Sequence, residues 1–573
     1  MAISVSMRLL RFTRNDILNN AFVLVDRKRG PLGQAFIKRE ICTGYTTVSI
    51  RGFIESKVEK NADKPFLYFE DEVVSYEEFD RKINQAANGF LDMGVRKGYR
   101  VCLMLPNVPE FLYGWFGLAK IGAVMIPINI AFKENEAGYV LNHSEAVGVI
   151  VDSEHLPMVR EIKRRGKTLK WIACIDPVSN KEDIHLFHQF FETMPETLKF
   201  IVLKDNDMAQ IVYTSGTTGF PKGAIHTHRD FTLTGEAFLL CAGIGPEDRV
   251  LTILPLFHVN AQYYSTMGAL AAEASLILVR KFTASNFWDQ AVYYGATEFN
   301  FIGAIGRILC ARPENEFQPE HRISTAYGAL VTPDVYEVFT KRFKIPNVID
   351  GYGLTEVPRV SQNPIGGVIK MKSIGRPAKH PDPSLTFSEI KIVDNDGKEV
   401  EPGQVGEIIV RSPVMMQGYF KDEAKTREAI RDGWFYTGDY AYKDEDGYLF
   451  FVDRKKDIIR RKGENISSNE VETVINAHDK VLEAAVIAVP SELGEDEVMA
   501  CIVLKENQMM NPEEIIGWCR EHLANFKVPR YVQFRDSLPK TPTQRIAKYI
   551  LKQEEDLIEL SYDMESYKKK IGL

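Results

Sequence analysis

Tyr213-Thr-Ser-Gly-Thr-Thr-Gly-Phe-Pro-Lys-Gly223 follows an apolar, strand-like run at residues 209–213. Four aliphatic hydroxyls, three glycines and one lysine fall within these eleven residues. Glycine lets backbone N–H groups approach an anion closely, and hydroxyl side chains add further donors. Lys222 supplies a point charge for phosphate. The spacing differs from the Walker pattern G-x-x-x-x-G-K-[ST], so this is a phosphate loop of another kind. A helix is predicted after it, with Asp230 as its cap.

Outward from this loop, apolar runs at 100–105, 123–128, 148–152 and 171–175 alternate with amphipathic stretches. That alternation predicts layered α/β structure with largely parallel sheets. Between residues 390 and 451 the texture changes. Short β-rich runs are split by Asp396-Gly397, Pro402-Gly403, Asp432-Gly433 and Asp446-Gly447, which predicts hairpins in a β-rich subdomain. Beyond Asp453-Arg454-Lys455-Lys456 lies a compact α+β segment. Ser467 and Glu470 form a capping-box pattern opening a helix to about residue 478. Strands at 484–489 and 498–504 and a helix at 512–523 follow. The expected fold is α/β: a large N-terminal domain of layered α/β subdomains plus a β-rich subdomain, and a small mobile C-terminal α+β domain.

The chain has 573 residues, enough for two or three compact units. Its net charge of −7, with no large basic block, argues against nucleic acid as a partner. Seven cysteines are scattered without C-x-x-C or metal-ligand spacing, as expected of reduced thiols in a cytoplasmic compartment. The most membrane-like stretch, residues 111–132, is interrupted by Lys120, Pro127 and Asn129, and reads as a buried helix followed by a strand. Residues 1–45 form an N-terminal extension. Arg8, Arg11 and Arg14 leave a transit segment open, and Met7 leaves a later start open.

Two more motifs carry chemistry. In Asp350-Gly-Tyr-Gly-Leu-Thr-Glu356 the aromatic ring can stack on a purine and the carboxylate of Glu356 can bind magnesium. In Tyr436-Thr-Gly-Asp439 the carboxylate can accept two ribose hydroxyl protons. In their order and distance from the phosphate loop, these motifs resemble the adenylate-forming superfamily: AMP-forming acyl-CoA synthetases, luciferases and peptide-synthetase adenylation domains. The resemblance spans about residues 46–552.

The resemblance implies roles. Thr214, Ser215, Gly216, Thr217, Thr218, Gly219 and Lys222 would hold ATP phosphates. Tyr352, with Gly353 beside it, would stack on adenine, and Asp350 would lie near the adenine amino group. Gly328 and Ala329, in Tyr327-Gly-Ala-Leu330, would face the same ring. Thr355 would contact phosphate and Glu356 would hold magnesium. Asp439 and Arg454 would bind ribose. His258, in Leu254-Pro-Leu-Phe-His-Val-Asn260, would gate the acyl pocket, with a core histidine as the alternative. Val259, Asn260, Gln262, Asn300 and Gly303 would line that pocket. In Arg460-Arg-Lys-Gly-Glu-Asn465, the residues Arg461, Lys462, Gly463 and Glu464 would meet coenzyme A, with a solvated basic turn as the alternative.

Residues 46–453 would form the N-terminal AMP-binding domain and 457–573 the C-terminal one, hinged near Lys456. One departure stands out. The family's P-x-T-x-x-G-K reads Pro539-Lys-Thr-Pro-Thr-Gln-Arg545 here. Arg545 keeps the cation with different geometry, Lys548 lies three residues on, and loss of adenylation is the third possibility.

The activity implied is an ATP-dependent acyl-CoA synthetase using ATP, magnesium and coenzyme A on a small-molecule carboxylic acid. It needs no membrane span. His258-Val-Asn-Ala-Gln262 and Phe299-Asn-Phe-Ile-Gly-Ala304 resemble the crotonobetaine/carnitine-CoA ligase-like branch rather than a greasy fatty acyl-CoA ligase tunnel. They favour a small-to-medium or polar acid. Transfer to a carrier protein and an ATP-binding pseudoenzyme remain the alternatives.

Overall fold

The computed structural model describes residues 23–29, 35–41, 48–166, 168–178, 183–214, 221–455, 457–461, 464–491, 496–540 and 546–564. Two large sheets dominate. One has seven strands, ordered Lys222–Thr227, Met208–Thr214, Val124–Pro127, Arg100–Met104, Gly148–Val151, Trp171–Cys174 and Ile184–Leu186. All its pairs are parallel except the first. The other has nine strands, with Asn347–Tyr352, Thr325–Ala329, Glu298–Ile302, Arg249–Thr252, Ser275–Leu278 and Pro65–Phe69 as its parallel centre.

The period-two rule explains why the strands of the seven-stranded sheet read as continuous apolar runs. Val101 and Leu103 face one core, while Cys102 and Met104 face another. The first core joins both large sheets through the helices Tyr76–Asp92, Pro109–Lys120 and His228–Ala242. The apolar stretch at 111–132 is the buried helix Pro109–Lys120 and the strand Val124–Pro127, as expected from sequence. Twelve residues rise about 18 Å, well short of a bilayer core of about 30 Å. Among the described residues, no helix is long and apolar enough to cross a membrane. Lys120 is fully buried, its Nζ 2.5 Å from Asp80 Oδ1 and 2.8 Å from Asn84 Oδ1.

The region from Glu389 to Arg454 is a five-stranded antiparallel sheet. Gly397, Gly403, Gly433 and Gly447 have positive φ at the turns expected from sequence. The smaller C-terminal domain is built on the sheet Val481–Pro490, Asp496–Leu504, Tyr531–Phe534 and Tyr562–Asp563. Ser467 caps the helix Ser468–Asn476 by accepting from Glu470 N. The link to this domain is short. Asp453 Oδ2 accepts from Ser468 Oγ at 2.8 Å, Asn469 N at 3.2 Å and Ser467 Oγ at 3.3 Å.

One sequence expectation needs correction. The phosphate loop is not followed directly by a helix. The strand Lys222–Thr227 comes first, pairing antiparallel with Met208–Thr214. The helix His228–Ala242 starts after it. Its N-cap is Thr227, and Asp230 is the third helical residue of a capping box, with its carboxylate bound back to Thr227 N.

Candidate active site

The described parts of the site gather where parallel strands end. Thr214 and Lys222 are register partners at the mouth of the phosphate loop, and Thr214 Oγ1 donates to Lys222 O at 3.4 Å. Ser215, Gly216, Thr217, Thr218 and Gly219 lie outside the described residues, as do Lys456, Lys462, Gly463, Gln544 and Arg545.

On the nine-stranded sheet, Gly328 pairs with Asp350 across adjacent strands. A methyl group at Gly328 would come within 2.6 Å of both Phe301 and Val331, so only glycine lets this strand end close over its core. Ala329 follows at the strand's end, half-buried. Burial pushes the Asp350 carboxyl up to about 8, against the pull of N–H groups from Val331, Leu330 and Gly351. Its Oδ1 has no hydrogen-bond partner among the described residues. A free acceptor that is neutral near pH 7 suits an amino-group donor.

Tyr352 ends its strand and donates through its hydroxyl to Asp439 Oδ2 at 2.6 Å. Asp439 sits opposite Arg454 on paired strands, with Oδ1 3.7 Å from Arg454 Nε. Tyr352, Asp439 and Arg454 are thus in one chain of contacts. Gly353 is obligatory for this turn, because a methyl group there would lie 2.2 Å from Pro358 O.

Glu356 and Lys222 meet around Tyr419. The Tyr419 hydroxyl donates to Glu356 Oε1 at 2.8 Å, and Lys222 Nζ lies 5.1 Å from the centre of the Tyr419 ring. Burial first, and then the Glu356 charge, push the Tyr419 hydroxyl pKa up, so it stays a donor. One half-buried carboxylate beside a phosphate loop suits magnesium, which takes few protein ligands and completes its shell with phosphate oxygens and water. Thr355 presents its carbonyl to His226 Nε2 at 2.8 Å, while His226 Nδ1 faces Asp230 Oδ2 at 3.1 Å.

Tyr419 and His226 were not singled out from sequence. Their partners lie 63 and 129 residues away in the chain, and neither stands in a motif of its own.

Among the residues expected to line the acyl pocket, half-buried His258 precedes a π-helical turn, Asn260–Thr266. Such turns recur at functional sites. Val259 is buried. Gln262 is buried too, and its amide is engaged at both ends: Nε2 donates to Leu256 O at 2.7 Å and Oε1 accepts from Gln210 Nε2 at 2.6 Å. Asn300 donates to Ser265 Oγ at 2.7 Å. Asn260 Oδ1 and Asn300 Oδ1 are buried without a partner among the described residues. Gly303 opens the next helix, beneath Leu330 O.

In the C-terminal domain, Arg461 is turned inward. It is 2.7 Å from Glu497 and donates to Phe526 O and Val528 O at 2.9 Å each. Arg460 and Glu464 are exposed on the same hairpin. Lys548 is likewise engaged, at 2.7 Å from both Glu472 Oε1 and Ser468 Oγ. Burial alone would lower its pKa, but Glu472 and Asp453 more than offset this and leave it raised. The helix Lys548–Leu551 begins at Lys548.

The comparisons agree with this arrangement. The AMP-binding enzyme family model matches residues 54–420, and the AMP-binding enzyme C-terminal domain model matches residues 470–545. The chain is 33% identical over 520 residues to a crotonobetaine/carnitine–CoA ligase of Salmonella paratyphi A, covering 88% of this chain and 99% of that one. The crystal structure of the anthranilate CoA ligase AuaEII with anthranoyl-AMP superposes with a TM-score of 0.81 at 27% identity, covering 88% and 96% of the two chains. O-succinylbenzoate coenzyme A synthetase from Bacillus subtilis, in complex with AMP, gives a TM-score of 0.77 at 25% identity, covering 88% and 99%. Both family models match in order, and the chain belongs to the AMP-binding, adenylate-forming enzyme family, as an ATP-dependent acid–CoA ligase.

Proposed function

We propose that this ligase activates a small-to-medium acid with a polar group, in two half-reactions over one acyl carbon. The observation that carries the reading is the meeting of Lys222, Tyr419 and Glu356 beside the Tyr352–Asp439–Arg454 contact. A carboxylate oxygen attacks the α-phosphorus of ATP, the bond to the β-phosphate oxygen breaks, and pyrophosphate leaves. The thiol of coenzyme A then gives up its proton to solvent, its sulfur attacks the acyl carbon, the bond from that carbon to the AMP phosphate oxygen breaks, AMP leaves with the electron pair, and the thioester remains. Such chemistry rests on positioning and charge neutralisation.

Lys222 and the phosphate loop hold the β- and γ-phosphates. Glu356 holds magnesium, which supplies further neutralisation when bound, and Tyr419 orients that carboxylate. Asp439 and Arg454 fix the ribose, Tyr352 and Gly353 the adenine face, and Asp350 the amino edge. Arg545 supplies the bridging cation of adenylation. The engagement of Lys548 by Glu472 and Ser468 favours Arg545 over Lys548 in this role. Residues 46–453 and 457–573 form the two domains and Lys456 is the hinge. Arg460 is the exposed cation that the hairpin offers to coenzyme A, with Arg461 anchoring it. A reducing, cytoplasmic setting fits the described cysteines, all of them unpaired.

The test is pyrophosphate release from ATP and magnesium across short, medium, aromatic and carnitine-like acids, each with and without coenzyme A. Release that needs one acid, and thioester formation only with coenzyme A, is expected. ATP binding without release for any acid would overturn the reading in favour of a pseudoenzyme. Transfer to a holo-carrier but not to coenzyme A would replace the acceptor.

A further inference from the structure

Lys548 begins the helix Lys548–Leu551, and its side chain is largely buried at 16% exposure. Its Nζ lies 2.7 Å from Glu472 Oε1 and 2.7 Å from Ser468 Oγ, both on the helix Ser468–Asn476. Glu472 Oε1 also accepts from Val486 N at 2.7 Å, which fixes the acceptor to the strand Val481–Pro490. One step further, Ser468 Oγ is 2.8 Å from Asp453 Oδ2, and both of these residues are buried. Asp453 is the last residue but one of the strand Leu449–Arg454. The next residue, Arg454, faces Asp439 at the proposed ribose contact.

The direction of these bonds follows from what each group can donate. An ammonium has three donors and no acceptor, and a serine hydroxyl has a single proton. Lys548 therefore donates to Ser468 Oγ, and the Ser468 proton goes to Asp453 Oδ2. Bonds in such a chain polarise one another. Without the ammonium, the hydroxyl is free to turn its proton elsewhere. The same short helix is followed by Lys552, whose Nζ lies 3.7 Å from Asp457 Oδ1. This segment thus holds both sides of Lys456: Asp453 before it, through Ser468, and Asp457 after it.

We propose that Lys548 is a positioning residue of the two-step reaction: it directs the Ser468 proton onto Asp453, and so couples the helix after the Pro539–Arg545 motif to the hinge. Lys548, Glu472 and Ser468 all lie beyond Lys456 and move together when the small domain rotates. The buried ion pair therefore stays closed, and on this path only the Ser468–Asp453 link is made and broken. The inference rests on the ligase reading above and on its hinge at Lys456.

The test uses the full-length protein and rapid-quench measurement of both half-reactions with an acid that wild type activates: acyl-adenylate formation from ATP, and thioester formation from preformed acyl-adenylate and coenzyme A. Ser468→Ala and Lys548→Met should each shift the ratio of the two rates by about 10-fold in the same direction, the lower end of what a charge-assisted hydrogen bond contributes. The double variant should shift it no further, because both changes remove one link. Lys548→Arg keeps a cation that only donates, and should restore most of the ratio. If thermal melting shows that Lys548→Met does not fold, the pair Lys548→Met with Glu472→Gln removes both charges together and takes its place. Equal slowing of both half-reactions would overturn the proposal and leave Lys548 a structural residue. So would a Lys548→Met effect on adenylation that Ser468→Ala does not share, since Lys548 would then act on the substrate directly. A wild type that forms no acyl-adenylate with any acid would overturn the ligase reading, and this inference with it.

Discussion

Asp453→Asn tests how the two domains are held. Asp453 lies before the proposed hinge at Lys456, and its Oδ2 accepts from Ser467 Oγ, Ser468 Oγ and Asn469 N, all beyond it. Any large rotation about Lys456 must break these contacts. The asparagine keeps an oxygen for Arg454 N, which now donates to Oδ1 at 2.7 Å. The Ser467 and Ser468 hydroxyls can turn to accept from the new amide. The Asn469 N–H cannot, and it would face a donor. Charge-assisted hydrogen bonds contribute roughly 1.5–3 kcal/mol each. Losing one outright, with part of the charge assistance in the others, weakens this domain arrangement by about 2 kcal/mol. That corresponds to about 30-fold in its population. The helix Ser468–Asn476 keeps its own cap, Ser467 Oγ to Glu470 N, so the variant should fold. Rapid-quench measurements would follow acyl-adenylate formation, and separately thioester formation from preformed acyl-adenylate and coenzyme A. The half-reaction served by the present arrangement should slow by up to about 30-fold, and the other should not slow. Equal slowing of both, or no change in either, would refute the latch.

Three further outcomes are expected. Lys120→Met leaves half-buried Asp80 beside an apolar side chain and should cost up to about 3 kcal/mol in denaturant unfolding, and a loss below about 1 kcal/mol would refute the role of the pair. Asp350, with a folded pKa of about 8, keeps its proton over a pH range where the unfolded carboxyl, at about 3.9, has lost it. It therefore makes stability fall as pH rises from about 4 to about 8, so Asp350→Asn should flatten that fall by up to about 1.4 kcal/mol per pH unit, and identical pH slopes would contradict the burial argument. Tyr419→Phe keeps the ring near Lys222 but removes the 2.8 Å bond to Glu356, so the magnesium concentration for half-maximal pyrophosphate release should rise about 10-fold, and an unchanged requirement would remove Tyr419 from the metal's support.

What the sequence revealed depended on how local the cause was. The Ser467–Glu470 cap and the turns at Gly397, Gly403, Gly433 and Gly447 rest on contacts within a few residues, and they appear where expected. The strand Lys222–Thr227 did not, because its partner lies across the phosphate loop and its last residue is itself a helix cap. Asp230 looked like a cap because it serves a capping box from the third helical position. The family was legible because its motifs place particular residue types at short spacing, and both family models match. Tyr419 and His226 were not, since the contacts that join them to Glu356 and Thr355 reach across distant segments.

The acyl end is the least legible part, and polarity governs it more than volume. With Asn260 and Asn300 in the acyl pocket as proposed, two side-chain oxygens there lack partners among the described residues. In the free enzyme water can serve them. A fatty chain would expel that water and supply nothing in return. At about 2 kcal/mol for each orphaned group, the cost is about 4 kcal/mol. Each buried methylene gains about 0.8 kcal/mol, so roughly five would be needed to offset it. An acid whose own donors meet the asparagine oxygens avoids the cost altogether. Selection against fatty acids would then come from desolvation, and should persist even for chains short enough to fit.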